Sequence, residues 1–282
     1  MYHISSIGVI GAGTMGSGIA QVGAQSGFPV ILFDISTEVL DKARLSMDKS
    51  LQSQVDKGRM TAEEKDTILQ RVRFVSDIKD CVADLIIEAI VEKAEAKMSV
   101  FNQLAEHNPS TSIFATNTSS LSVSTIQSGI VNPERVVGMH FFNPAPIMKL
   151  VEAVKGSQTS SEAAQAIYDI CVRMKKTPVM CQDAPGFIVN RVARPYYLEA
   201  MRLVELGLAT FENIDEVMEA SGFKMGPFRL MDLIGMDVNL AVSRSVYEAF
   251  GKEERFKPSP VQEEKVRNGE LGKKTGKGFY SY

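Results

Sequence analysis

Residues 7–16 constrain this chain more than any other stretch. A short apolar run, Ile7-Gly-Val-Ile10, passes directly into Gly11-Ala12-Gly13-Thr14-Met15-Gly16. An amphipathic stretch around Ile19-Ala-Gln-Val22 follows, and a second apolar run, Val30-Ile-Leu-Phe33, ends on Asp34. Strand, glycine turn, helix, strand and acid in that order form the dinucleotide-binding fingerprint. Gly11 permits the tight turn, Gly13 lets backbone approach a pyrophosphate, and Gly16 allows the helix to pack closely on the strand. The helix N-terminus presents N–H groups and a partial positive charge to phosphate, so Ala12, Thr14 and Met15 join the glycines as cofactor contacts. Asp34 stands 18 residues past Gly16, a spacing suited to an acid that accepts hydrogen bonds from a ribose diol. A carboxylate there also repels a 2′-phosphate, which points to NAD over NADP. The same fingerprint serves FAD, and the turn alone leaves that open.

The chain's 282 residues suffice for one large domain or two ordinary ones. Its net charge of −3 supplies no basic field for nucleic acid. No run of about 18 apolar residues suggests a membrane span. The N-terminus enters the first strand without a basic region or a separate apolar segment, so no signal peptide is expected. Cys81, Cys171 and Cys181 form neither a Cys-x-x-Cys pair nor a disulfide framework. That usage fits a reducing cytoplasm, buried inert thiols and no zinc site.

Helical periodicity covers residues 36–58, where Leu40, Ala43, Met47, Leu51 and Val55 recur at spacings of three and four. Ser36 is its expected N-cap, without a full capping box. A second helix fits 61–72, capped by Thr61 with Glu63 and Glu64 in its first turn. Strand-like runs at 84–90, 112–116, 135–140 and 177–181 alternate with helical segments at 92–107, 121–128 and 160–174, and 147–154 reads as a further strand. This alternation predicts an α/β fold, a Rossmann-type doubly wound parallel sheet. Strand patterns stop at Asp183-Ala-Pro-Gly186. Beyond it, helical patterns cover 187–206, 211–221, 229–250 and 260–268, with Pro195 expected to kink or divide the first. The expected organisation is therefore a dinucleotide-binding domain over 1–184 and a smaller all-helical domain over 185–282.

The chain has three histidines. His3 and His107 read as surface residues. His140 closes the apolar strand Val136-Val-Gly-Met-His140, at the carboxyl end where open α/β sheets hold their ligands. Asn117-Thr-Ser-Ser120 leaves another strand in the same way, and Glu152 falls in the next one. A histidine oriented by a carboxylate is a general base. Taken singly, Glu152 reads equally as an exposed strand carboxylate and Ser119 as a helix cap.

Together these segments resemble the L-3-hydroxyacyl-CoA dehydrogenases. The matching motifs are residues 11–16, Asn117-Thr-Ser-Ser120, Met139-His-Phe-Phe-Asn-Pro144, Pro185-Gly-Phe-Ile-Val-Asn-Arg191, Met225-Gly-Pro-Phe228 and Gly272-Lys-Lys-Thr-Gly-Lys-Gly-Phe-Tyr280. The similarity runs the whole length in order and is greatest to the short bacterial 3-hydroxybutyryl-CoA branch, without a hydratase domain. The resemblance implies that His140 exchanges the proton of the substrate 3-hydroxyl while hydride passes between C3 and NAD, with no metal. It also implies that Glu152 pairs with His140, and that Ser119 and Asn190 hydrogen-bond the reacting oxygen or the thioester. Asn143, Asp34, Glu92, Lys97, Ser119 and Lys274 become further NAD contacts. Ser50 and Lys57, seven apart on one helix, become contacts to the CoA part of an acyl-CoA substrate. Without the resemblance, Glu92 and Lys97 read as a charged first helical turn and Lys274 as a solvated tail lysine. Lys42 and Lys49 share another face of that helix. The resemblance further implies a homodimer formed through the helical domain. Met201, Leu203, Met218, Leu230, Met231 and Leu233 accordingly read as core or interface. Two rival readings are a dehydrogenase of a free hydroxy or sugar acid, and a catalytically silent NAD-binding protein.

Overall fold

The computed structural model describes residues 2–282. The chain divides into two compact units, Met1–Asp183 and Ala184–Tyr282. The first unit is built on an eight-stranded sheet. Its strands are β1 (Ile7–Ile10), β2 (Val30–Phe33), β3 (Val72–Val75), β4 (Leu85–Glu88), β5 (Ile113–Thr116), β6 (Val136–Phe141), β7 (Leu150–Lys155) and β8 (Thr177–Gln182). They lie in the order β3-β2-β1-β4-β5-β6-β7-β8. The order reverses between β1 and β4, which makes the crevice above their carboxyl ends the ligand position of a Rossmann-type sheet. The unit's helices are α1 (Thr14–Gln25), α2 (Thr37–Asp56), α3 (Ala62–Gln70), α4 (Ala94–Ala105), α5 (Val123–Gln127) and α6 (Ser161–Arg173). Val9, Ile19, Leu32, Leu85, Ile87 and Ile113 belong to one buried apolar cluster that ties the sheet to its helices. Each such side chain, fully buried, contributes roughly 1.5–3 kcal/mol.

Local chemistry explains most element ends. Ser36 caps α2 by accepting the Val39 N–H, and Thr61 and Glu64 form a capping box at α3. The cap of α5 is Ser122, not Ser119, so Ser119 is not spent on a helix end.

Several expectations need correction. The segment 72–75 is a strand, whereas helical periodicity extended the preceding helix to residue 72. It is an edge strand pairing only β2, with Arg73 exposed, so its apolar signal is weak. The sheet is not wholly parallel: β7 runs antiparallel to β6. Residues 142–149 are too few for a parallel crossover, which needs a dozen or more.

The second unit contains α7 (Val189–Glu205), α8 (Phe211–Ala220), α9 (Pro227–Ile234), α10 (Met236–Ala249) and α11 (Pro260–Arg267). Pro195 lies within α7, which continues through it as one helix. The single helix expected over 229–250 is two, broken at Gly235, whose φ of +102° is strained for any side-chain-bearing residue. Met201, Phe228, Met231 and Met236 form the core, with Leu203, Met218 and Leu230 packed against it, while Leu233 is half exposed. The C-terminal tail is fastened to this core by two buried acids. Asp232 accepts the N–H groups of Phe279 and Tyr280, each at 2.9 Å, and Asp215 accepts the Tyr280 hydroxyl at 2.8 Å. Among the described residues, no helix is long and apolar enough to cross a membrane.

Candidate active site

The glycine turn between β1 and α1 has the geometry of an anion cradle. Gly11 adopts φ +97°, and a Cβ there would meet the Ala89 carbonyl oxygen at 2.8 Å. A Cβ on Gly16 would overlap the Gly11 carbonyl, so Gly16 is required by the turn itself. A Cβ on Gly13 would meet nothing within 4 Å. Gly13 is the N-cap of α1, with no side-chain cap and no acid in the first turn. The helix end thus carries no side-chain cap and no acid to offset its partial positive charge, the polarity that suits a pyrophosphate. Asp34, at the carboxyl end of β2, accepts from the Ala12 N–H at 2.9 Å and from the Ser36 N–H at 3.0 Å. It thus braces the turn it was expected to serve only as a ribose acceptor.

A buried charge cluster lies next along the crevice. Glu88, the last residue of β4, is fully buried. Its carboxylate accepts from Lys97 Nζ at 2.6 Å, the Ile90 N–H at 2.7 Å and the Thr116 hydroxyl at 2.7 Å. Lys97 is 1% exposed, which rules out the solvated first-turn reading. It also reaches Glu92 at 3.1 Å. The other Glu92 oxygen accepts from the Thr118 hydroxyl at 2.6 Å and from the Ser119 and Ser120 N–H groups at 2.9 and 3.2 Å. Burial pushes the Glu88 carboxyl above the ordinary carboxylate range, and Lys97 offsets this only in part. Burial also acts upward on Glu92, but the Lys97 charge and the Thr118 and Ser119 donors together outweigh it and hold Glu92 low. Glu92 therefore anchors the loop that carries Ser119. Glu88, Thr116 and Thr118 were not singled out from sequence. The available signal was an acid closing an apolar strand, the same pattern that marks Asp34.

β6 and β7 supply the histidine–carboxylate pair. The antiparallel register sets His140 directly opposite Glu152, and Nδ1 lies 2.7 Å from Oε2. Glu152 is 1% and His140 5% exposed, so Glu152 is not the exposed strand carboxylate it could have been. The Phe142 ring stands 4.5 Å from the imidazole, centroid to centroid. Asn117 Oδ1 accepts the Phe141 N–H at 2.8 Å and ties the Ser119 loop to the strand bearing His140.

The other candidates are placed as follows. Asn143 is exposed three residues beyond His140. Ser50 accepts from Gln21 Nε2 at 3.2 Å, and Lys57 is the exposed C-cap of α2. Asn190 and Lys274 belong to the second unit. Asn190 lies in the first turn of α7, and its carbonyl accepts from Arg194 Nε at 3.3 Å. Lys274 is ion-paired with Asp237. Burial pushes the Cys81 and Cys171 thiols up to about 12, which fits inert core residues.

Residues 6–184 match the model of the 3-hydroxyacyl-CoA dehydrogenase NAD-binding domain, and residues 186–282 match that of the family's C-terminal domain. The chain belongs to the 3-hydroxyacyl-CoA dehydrogenase family. Its cofactor is NAD, which settles the choice that the glycine turn alone left open. A 3-hydroxyadipyl-CoA dehydrogenase of Escherichia coli K12 is 49% identical over all of this chain, which spans 60% of that protein. A probable 3-hydroxybutyryl-CoA dehydrogenase of Deinococcus radiodurans is 41% identical, with 98% of this chain and 99% of the relative covered. The crystal structure of a (S)-3-hydroxybutyryl-CoA dehydrogenase from Ralstonia eutropha superposes with a TM-score of 0.94 at 36% identity, covering 99% of each chain. These matches extend over both units and support the family's fold throughout.

Proposed function

We propose that this chain interconverts (S)-3-hydroxyacyl-CoA and 3-ketoacyl-CoA by hydride transfer, with short substrates such as 3-hydroxybutyryl-CoA and acetoacetyl-CoA. The buried His140–Glu152 pair, at the carboxyl edge of an NAD-binding sheet, carries this reading. The names of the Deinococcus and Ralstonia relatives support the short acyl chain.

NAD, when bound, supplies the hydride acceptor or donor. Glu152 engages Nδ1 of His140, so Nε2 is the atom that exchanges a proton with the 3-hydroxyl. The carboxylate fixes the tautomer and stabilises the imidazolium that forms. Ser119 and Asn190 donate hydrogen bonds to the reacting oxygen or to the thioester carbonyl. Residues 11–16 hold the pyrophosphate and Asp34 the adenosine ribose. Asn143, Glu92, Lys97 and Lys274 complete the cofactor contacts, and Ser50 and Lys57 contact CoA. Exposed apolar side chains on the second unit, among them Val192, Leu206 and Leu208, support a homodimer formed through that unit. The unpaired thiols fit a cytoplasmic setting.

The test is oxidation of NADH and NADPH by acetoacetyl-CoA, a longer 3-ketoacyl-CoA and free acetoacetate. The expected result is NADH-linked turnover of acetoacetyl-CoA with little on acetoacetate. Efficient turnover of the free acid, and none of the thioesters, overturns the reading.

A further inference from the structure

Helix α7 begins weakly. Its N-cap, Ile188, supplies no side-chain cap, and its first turn holds no acid. Pro195 has no N–H, so the Arg191 carbonyl lacks its regular helical donor. A helix start of this kind frays unless a group outside its own ladder holds it. Asn190, the expected contact to the reacting oxygen or the thioester, stands in that first turn.

Arg194 lies one turn further on and is 3% exposed. Its Nε donates to the Asn190 carbonyl at 3.3 Å. One Nη reaches across to α10, where it donates to the Asn239 carbonyl at 3.0 Å and to the Ser243 hydroxyl at 3.1 Å. The guanidinium also stands 4.8 Å from the centroid of the Tyr197 ring. Gln262 of α11 donates to the side-chain oxygens of Asn239 and Ser243, at 2.5 and 3.2 Å. A single buried side chain therefore ties the start of α7 to α10, and α11 braces the α10 end of the tie.

This arrangement is a poor way to gain stability. Among the described residues, no carboxylate forms an ion pair with Arg194. Burial without a counter-charge lowers its pKa to about 10. A buried cation that lacks an acid is destabilising, and an apolar side chain of similar length is often neutral or better in such a place. Asn239 Nδ2 is buried with no hydrogen-bond partner, so the network is not fully satisfied either. What the arginine supplies is its rigid fork, which joins two helices at once.

We propose that Arg194 is a positioning residue for Asn190: it fixes the first turn of α7 so that the Asn190 amide meets the reacting oxygen or the thioester. The proposal rests on the acyl-CoA reading above and adds a residue that acts only through Asn190. A misplacement of about 1 Å at such a contact costs up to about 10²-fold in rate.

The test compares Arg194→Met, Arg194→Lys, Asn190→Ala and the Arg194→Met/Asn190→Ala double variant. Arg202→Met, which removes an exposed charge from the same helix, is the control. Arg194→Met should lower kcat for acetoacetyl-CoA about ten-fold, with KM for NADH unchanged and a thermal midpoint close to that of the wild type. Arg194→Lys should show a similar loss, since one ammonium cannot span both helices, and it replaces the Met variant if that one does not fold. The double variant should lose no more than Asn190→Ala alone, because both substitutions act on one contact. Additive losses, wild-type kcat in Arg194→Met or Arg194→Lys, or an equal loss in the control overturn the proposal. Hydrogen exchange of the backbone amides of residues 189–193 reads the same tie without turnover. It should quicken about ten-fold in Arg194→Met and stay unchanged in the control. If the wild type does not turn over acetoacetyl-CoA, the substrate reading fails. Exchange then decides the tie on its own: a ten-fold quickening upholds it and no change rejects it.

Discussion

His140 and Glu152 face each other across β6 and β7 because that pair of strands is antiparallel and in register at this position. A buried imidazole and a buried carboxylate 2.7 Å apart are thereby fixed by the sheet rather than by a loop. Ladder hydrogen bonds on both strands hold the pair, which gives a general base its preorganisation.

Glu152→Gln tests that arrangement. An amide can donate to Nδ1, which favours the tautomer with hydrogen on Nε2, and that tautomer cannot take a proton there. The expected loss in kcat is about 10²–10⁴-fold with the circular dichroism spectrum preserved. A fall of less than about three-fold would show that Glu152 does not set the ring.

The Glu88–Lys97–Glu92 cluster makes a prediction about acid stability. Glu92 is held below its unfolded pKa, so its contribution is present above about pH 4.3 and is lost as pH falls through the folded value. Glu88 is held above its unfolded pKa, so it costs stability at neutral pH and the cost is relieved on acidification. Glu92→Gln should therefore destabilise the protein at pH 7 by about 1 kcal/mol, after allowance for solvent screening at this partly exposed group. The gap to wild type should narrow below about pH 4. Urea midpoints at pH 7 and pH 3.5 measure it, and a constant gap would contradict the assignment.

On the ribose role proposed for it, Asp34→Ala should raise the ratio of kcat/KM for NADPH over NADH by about 10–100-fold, through loss of an acceptor and of a charge that would repel the 2′-phosphate. The absolute kcat/KM for NADH should fall too, since Asp34 also accepts the Ala12 N–H of the turn. A wild type that already prefers NADPH would refute the role.

The thiols give a chemical check on the core. Burial holds Cys81, Cys171 and Cys181 near pKa 12. At pH 8 the native protein should therefore react only slowly with a disulfide reagent, with all three thiols titrating on unfolding. Rapid labelling of Cys81 or Cys171 in the native state would contradict the packing.

Much of this was legible in the sequence because it is local. The turn at residues 11–16, the caps at Ser36 and Thr61 and the break near residue 184 depend on neighbours within a few residues. The strand at Val72–Val75 was obscured by an exposed Arg73 and a preceding helical pattern. The antiparallel turn of β7 could have been read from the short segment 142–149, which leaves no room for a crossover. The burial of Lys97 could not, because it depends on β4 and β5 delivering Glu88 and Thr116 to the same edge. A lysine in a helical first turn carries no local sign that its partner lies nine residues upstream in a strand. The role of Glu92 as anchor of the Ser119 loop was hidden for the same reason: its donors come from the segment after β5.

The most direct test of the central claim is single-turnover reduction of acetoacetyl-CoA by enzyme-bound NADH, wild type against His140→Ala, with NADH affinity measured in parallel. The account predicts that the hydride-transfer rate falls about 10²–10⁴-fold while NADH binds as tightly as before. An unchanged rate in the variant would contradict it.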